Sequence, residues 1–292
     1  MRKSFTTAIC QAVEDDERLR LILGDIGVYG FKELAEARPQ SVINIGILEQ
    51  AMISVAAGMA MDGRIPIVHS IAPFLVERCL EQLKVDFAYQ GLSGKFVSVG
   101  ASFDYAALGC THHCPSDVGT LLGVPGIDIV VPGTGDEFES LFKSSLYDGR
   151  NTYYRLSELS NSSSLPVTHG KANLIRRGRQ GTVIAIGPTL DIALEASEGI
   201  DVSVIYLTTI APFDSETLRL ATDALSIYVL EPFYQGSIYH CVSQAFRSER
   251  ISIQGRGVPR QFLENYGTRD EHMKSLGMDA QTVRADLENV FL

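Results

Sequence analysis

No stretch of the 292-residue sequence is both long and apolar enough to cross a bilayer as a helix. A basic surplus is missing as well. Lys and Arg number 25 against 35 Asp and Glu, a net charge of -10, which argues against nucleic acid or an anionic membrane as the main partner. Met1-Arg2-Lys3-Ser4 leads into an amphipathic segment carrying Glu14, Asp15, Asp16 and Glu17, without the apolar centre that a secretory signal requires. The five cysteines (Cys10, Cys79, Cys110, Cys114 and Cys241) are odd in number and irregularly spaced. That pattern excludes a regular disulfide framework and fits reduced thiols in a cytoplasmic enzyme. Repeats are absent, and the one low-complexity tract is Ser160-Asn161-Ser162-Ser163-Ser164, a linker candidate followed by Pro166.

What is present is a chain with 45% hydrophobic residues and a length that suggests two domains. Continuous Val/Ile/Leu runs at Leu19–Leu23, Val42–Ile45, Ile65–Val68, Phe96–Val99, Ile127–Val131 and Thr152–Leu156 predict strands of a parallel sheet buried on both faces. Helices are predicted between them at Glu49–Met61, with Met52, Val55, Ala56 and Met59 as the apolar stripe, and at Ala72–Tyr89. After the linker the alternation resumes: strands at Thr182–Ile186, Val202–Tyr206 and Ile227–Leu230, and helices at Leu190–Ser197, Asp214–Ala221 and Ser237–Ala245. The expectation is α/β, with two open, mostly parallel-sheet domains at residues 1–160 and 170–292.

The most specific segment is Asn44-Ile45-Gly46-Ile47-Leu48-Glu49-Gln50, leading into Ala56-Ala57-Gly58-Met59-Ala60 and Gly63. It resembles the strand-turn-helix of the transketolase family, in particular the C-terminal half that forms a separate chain in split transketolases. Alone, Glu49 would read as a first-turn glutamate complementing the helix dipole; the surrounding match gives it another role. The resemblance implies that Glu49, with Ile47 beside it, faces the aminopyrimidine of thiamine diphosphate. A buried acid there hydrogen-bonds a ring nitrogen and favours the imino tautomer that activates the cofactor, and burial keeps that acid in its protonated, donating form.

Other segments agree. Ser70-Ile71-Ala72-Pro73-Phe74 is similar to the family segment that stacks an aromatic ring on the aminopyrimidine, here Phe74. Asp25 in Gly24-Asp25-Ile26 matches an early aspartate at a strand end, and the resemblance places it among the cofactor-binding residues. Gly109-Cys110-Thr111-His112-His113 resembles the loop that brings a histidine over the thiazolium, and the matching position is His112. Such a histidine hydrogen-bonds the substrate oxygen or carries its proton. Asp117, after that loop, is expected to hold structure. Cys110, His112, His113 and Cys114 also suggest zinc, but four ligands within five residues converge poorly on a tetrahedron, and no metal site is assigned. In the second half, Pro212-Phe213-Asp214, Glu231 before Gln235-Gly236, and Gly277-Met278-Asp279 follow the family's C-terminal domain.

The Gly-Asp-Gly motif with which the family holds Mg²⁺ and the diphosphate does not occur. The resemblance therefore implies a companion subunit that carries that domain and the Mg²⁺, in an α2β2 heterotetramer. The sugar-binding loop also departs from the family: Ala106-Ala107-Leu108 stands where Gly-Glu-Asp is usual. Glu158 replaces a phosphate-binding arginine and Tyr29 a serine. Arg2 matches a retained phosphate contact, and Arg155 stands three residues before Glu158; both are expected to contact substrate. The reading is a thiamine-diphosphate-dependent, transketolase-type transferase acting on a ketose donor and an aldehyde or atypical acceptor. Alternatives are the β subunit of a 2-oxo acid dehydrogenase or of an acyl-carrier-loading complex, a deoxyxylulose-phosphate synthase-like activity, and a catalytically silent regulatory homologue.

Overall fold

A computed structural model describes all 292 residues. The strands are β1 (Leu19–Leu23), β2 (Val42–Asn44), β3 (Ile65–Ile71), β4 (Lys95–Val99), β5 (Ile127–Val130), β6 (Asn151–Arg155), β7 (Ala172–Arg176), β8 (Gly181–Ile186), β9 (Val202–Leu207), β10 (Thr209–Ala211), β11 (Ser226–Tyr234) and β12 (Ser252–Val258). They form two sheets, β10-β5-β6-β4-β3-β1-β2 and β12-β11-β8-β9-β7. All pairings are parallel except β10 with β5 and β7 with β9. The six strands expected in the first half all form; β1, β3, β4, β5 and β6 are largely buried, and β2 closes the edge of the sheet half-exposed.

Two expectations need correction, and one strand pairing has no counterpart in the sequence pattern. The segment Ala72–Tyr89 is not one regular helix: wide π-helical turns at Pro73–Glu77 and Leu83–Ala88 flank the single short turn Leu80–Gln82. Such turns recur at functional sites. Within the helix Glu49–Met61 the buried face is Glu49, Met52, Ile53, Ala56 and Ala57, while Val55 points outward. The apolar stripe is therefore rotated by about one residue from the one expected. Finally, β10 follows β9 in the second half yet pairs with β5 of the first sheet, so the two sheets are interleaved.

The polar tract Ser160–Ser164 is likewise no loose tether. Asn161 is buried, and its side-chain amide donates to the Gly187 carbonyl (3.1 Å) and the Tyr206 hydroxyl (3.3 Å). That hydroxyl donates in turn to Glu137 at 2.6 Å. One core of 33 buried residues runs from Ile22, Met52 and Phe96 through Ile129 to Ile205, Val229 and Phe233, so the halves share one apolar core beside a further core in each. No helix is long and apolar enough to cross a membrane.

His69 in β3 is fully buried against Phe5, with its Nδ1 2.8 Å from the Val97 carbonyl. Burial pushes its imidazolium pKa down to about 4, from 6.5 in the unfolded chain. The unfolded state therefore binds the proton first, and stability present above pH 6.5 is lost as the pH falls toward 4. The loss attributable to this group is on the order of 3 kcal/mol at 1.36 kcal/mol per unit. Chemical denaturation at pH 7 and pH 4 should show His69→Gln with a correspondingly flatter pH dependence than the native chain.

Candidate active site

In the first sheet the chain leaves β1 toward β2 on one side and toward β3 on the other, so the strand order reverses at β1. Open parallel sheets bind ligands outside the carboxyl ends of their strands at such a reversal. Gly24-Asp25 follows β1, Glu49 follows β2, Phe74 follows β3, the loop with Tyr105 and His112 follows β4, and Ser157-Glu158 follows β6. The candidate residues thus collect at one end of the sheet.

Gly46, with φ of +82°, makes the turn between β2 and the helix that begins at Glu49. A left-handed turn of this kind suits glycine. Asn44 secures the turn: its Oδ1 accepts from the N–H groups of Asp25 (3.0 Å) and Gly46 (3.2 Å), and its amide donates to Asp25 Oδ1 at 2.7 Å. Asp25 itself has φ of +59°. Its observed part is to join the ends of β1 and β2. Ile47 is 69% exposed and Leu48 58%, so an apolar rim surrounds the buried Glu49.

Glu49 is not held by burial alone. Arg78 Nη1 donates to Glu49 Oε2 at 2.7 Å, and the same guanidinium lies 4.2 Å from the centroid of the Phe74 ring. In this arrangement Glu49 Oε2 accepts from the guanidinium, and Oε1 makes no hydrogen bond within the chain. Sequence reasoning does not single out Arg78. The signal is there: it stands four residues after Phe74, on the same face of a helical segment. The Phe74 ring also meets the His112 ring edge-on at 5.3 Å, and Tyr105 lies 6.2 Å from His112. Thr111 Oγ1 lies 3.0 Å from His112 Nδ1. Arg2 Nη2 donates to the Tyr105 hydroxyl at 2.8 Å. Glu49, Arg78, Phe74, His112, Tyr105 and Arg2 therefore form one continuous line.

Arg155 does not join it. Its side chain is 1% exposed and donates to Asp117 Oδ2 (2.7 Å), Ser102 Oγ (2.6 Å) and the Pro232 carbonyl of β11 (3.2 Å). Tyr153 also donates to Asp117, at 2.8 Å. Its Nε and Nη2 donors are committed to an interior knot between the two sheets and the side chain is buried, so Arg155 does not stand where the expected substrate contact requires it. Asp117 is structural, as the sequence suggests. The four side chains that hint at zinc diverge: Cys110 is exposed, Cys114 is buried beside Ser116, His112 faces Phe74, and His113 packs on His272 at 5.8 Å. Burial and the neighbouring His272 push the His113 pKa down. Glu231, in β11, accepts from the N–H groups of Gly236 and Ile238, and burial pushes its carboxyl up to about 7. Tyr29 is almost fully exposed.

This is an α/β chain of two sheets that gathers a buried, cation-paired glutamate and an aromatic ring at one end of the first sheet. Residues 1–160 match the model of the transketolase pyrimidine binding domain and residues 170–283 that of the transketolase C-terminal domain, and the chain belongs to the transketolase family. It is a β-type subunit of a thiamine-diphosphate-dependent, transketolase-type transferase. It is similar to an uncharacterized 33.6 kDa protein in the fasciation locus of Rhodococcoides fascians, 38% identical over all of this chain and 95% of that protein. A subunit of the apulose-4-phosphate transketolase of Phocaeicola vulgatus is 28% identical, covering 97% of this chain and 94% of its own length. Among solved structures, a split-gene transketolase described as an inactive beta4 tetramer superimposes with a TM-score of 0.87 at 23% identity, covering 99% of this chain and 97% of its own.

Proposed function

We propose that this chain supplies the pyrimidine side of an active site completed by a companion subunit, and that the assembled enzyme moves a two-carbon ketol unit between sugars. The supporting observation is the buried Glu49, presented by a tight turn at the strand-order reversal beside the Phe74 ring. These residues fit the aminopyrimidine end of thiamine diphosphate: a carboxylate for a ring nitrogen, an aromatic face for stacking, and the exposed Ile47 as an apolar contact. No group of three or more His, Cys, Asp or Glu side chains is placed to hold a metal. The reading assigns the diphosphate with its Mg²⁺ to the companion chain, in an α2β2 heterotetramer of cytoplasmic location, because the family's Gly-Asp-Gly motif does not occur in this sequence.

When bound, thiamine diphosphate supplies the nucleophilic carbon that carries the ketol unit. Glu49 orients the aminopyrimidine through its ring nitrogen and holds the proton exchanged there. Arg78 fixes the carboxylate until the ring takes its place. Phe74 supports the ring by stacking, and His112 donates to the substrate oxygen on which charge develops. Asp25 sets the turn that carries Glu49, and Arg2 faces the far end of the substrate. Related subunits are named for apulose-4-phosphate and for 6-deoxy-6-sulfo-D-fructose, and related whole enzymes for 1-deoxy-D-xylulose-5-phosphate synthesis, so kinship leaves donor and acceptor open. The test is to assay this chain, the companion chain and their mixture for ketol transfer from a ketose to an aldehyde, with pyruvate decarboxylation alongside. Only the mixture should transfer, and it should leave pyruvate untouched. Pyruvate turnover without ketol transfer would reassign the chain to the 2-oxo acid enzymes.

A further inference from the structure

A cavity of about 210 Å³ is bordered by Tyr105 and Arg2, the last two of the site residues in contact. It is lined by Arg2, Tyr105, Ser157 and Glu158 together with Val99 and Leu156. The segment carrying Glu158 is pinned: Asp104 accepts from Ser157 Oγ at 3.1 Å and from the Glu158 N–H at 3.0 Å. Burial pushes the Asp104 carboxyl up to about 6. The Glu158 carboxylate makes no hydrogen bond or ion pair within the chain, whereas the Arg2 guanidinium already gives one N–H to Tyr105. The nearby cation Arg155 is spent on Asp117.

We propose that this cavity receives the far end of the acceptor sugar and selects an uncharged, hydroxylated end over a phosphate ester, with Glu158 as the residue that sets the choice. The inference rests on the ketol-transfer reading above. A phosphate dianion is gripped by converging cations, ideally a bidentate guanidinium. Here one partly committed arginine is offset by a free carboxylate, so a phosphate meets repulsion and an unmatched acceptor. A hydroxyl satisfies both walls at once: it accepts from Arg2 and donates to Glu158. A site built to receive a donor discriminates strongly against an end that has none. The Ser157 and Tyr105 hydroxyls extend the same donor-and-acceptor lining.

The test compares D-erythrose with D-erythrose 4-phosphate as acceptors for the assembled two-chain enzyme, in native, Glu158→Gln and Glu158→Arg forms. Their ratio of kcat/KM is read because it cancels losses common to both acceptors. The native enzyme should favour erythrose, Glu158→Gln should narrow the ratio, and Glu158→Arg should invert it, each step by about tenfold or more. In parallel, calorimetry on this chain alone should find saturable binding of inorganic phosphate in Glu158→Arg and none in the native chain at millimolar concentration. A native preference for the phosphate ester, or native phosphate binding equal to that of Glu158→Arg, would overturn the proposal. Failure of both acceptors to react would instead count against ketol transfer, and the phosphate titration would still decide the part played by Glu158.

Discussion

Glu49→Gln in the assembled enzyme should lower kcat by about a thousandfold while leaving the subunits assembled. A thousandfold is about 4 kcal/mol of lost transition-state stabilisation, within the range of a positioned proton-transfer group. The amide keeps the volume and one oxygen, so the buried packing of Met52 and Ile53 around it persists. It cannot carry the charge that pairs with Arg78 at 2.7 Å, nor hold the proton exchanged with the ring nitrogen. Steady-state kinetics beside sedimentation velocity separates the two effects. Near-native kcat would remove Glu49 from the chemistry, and loss of assembly would make it a packing residue.

The second large effect concerns stability. Arg155→Met should destabilise the chain by roughly 3–5 kcal/mol, because it strands Asp117 as an uncompensated charge in the interior. Asp117 would keep the Tyr153 hydroxyl and the Val118 N–H but lose its cation, and the Pro232 carbonyl of the second sheet would lose its link to the first. For a chain of this size each kcal/mol moves Tm by roughly 2–4 °C, so calorimetry should see a drop on the order of 10 °C. Replacing both partners, Arg155→Met with Asp117→Leu, should recover much of the loss, since an apolar pair of similar volume avoids the desolvation cost. A substrate-binding arginine would behave otherwise: Tm would hold and KM would rise.

Much of the architecture is legible because the central strands of both sheets are apolar runs, whereas the edge strands β7 and β12 of the second sheet carry polar and exposed residues and leave no such run. The helix Glu49–Met61 can be read to its ends, but not its orientation: Val55 and Ile53 are both apolar, and only packing decides which is buried. The π-helical turns after Phe74 are not legible, since widening a helix leaves no mark in its spacing of apolar residues. Nor is the β10 crossover, because three residues carry no periodicity and their partner β5 lies some 80 residues earlier in the chain.

At the site, Glu49, Phe74 and His112 are readable as a motif, and the fold brings them to one end of one sheet. Arg155 misleads because a charged residue at a strand end looks available until its partners are known. Asp117, Ser102 and Pro232 come from three separate segments. Arg78 escapes notice for the converse reason: its meaning lies in the Glu49 carboxylate, 29 residues away in sequence and 2.7 Å away in space.

The central claim is that this chain holds only half of a cofactor site. Calorimetric titration with thiamine diphosphate and Mg²⁺ tests it most directly, performed on the purified chain, on the companion chain and on the two mixed. The account predicts stoichiometric, Mg²⁺-dependent binding with turnover in the mixture, and neither tight binding nor turnover with this chain alone. Tight binding accompanied by turnover in the isolated chain would contradict it.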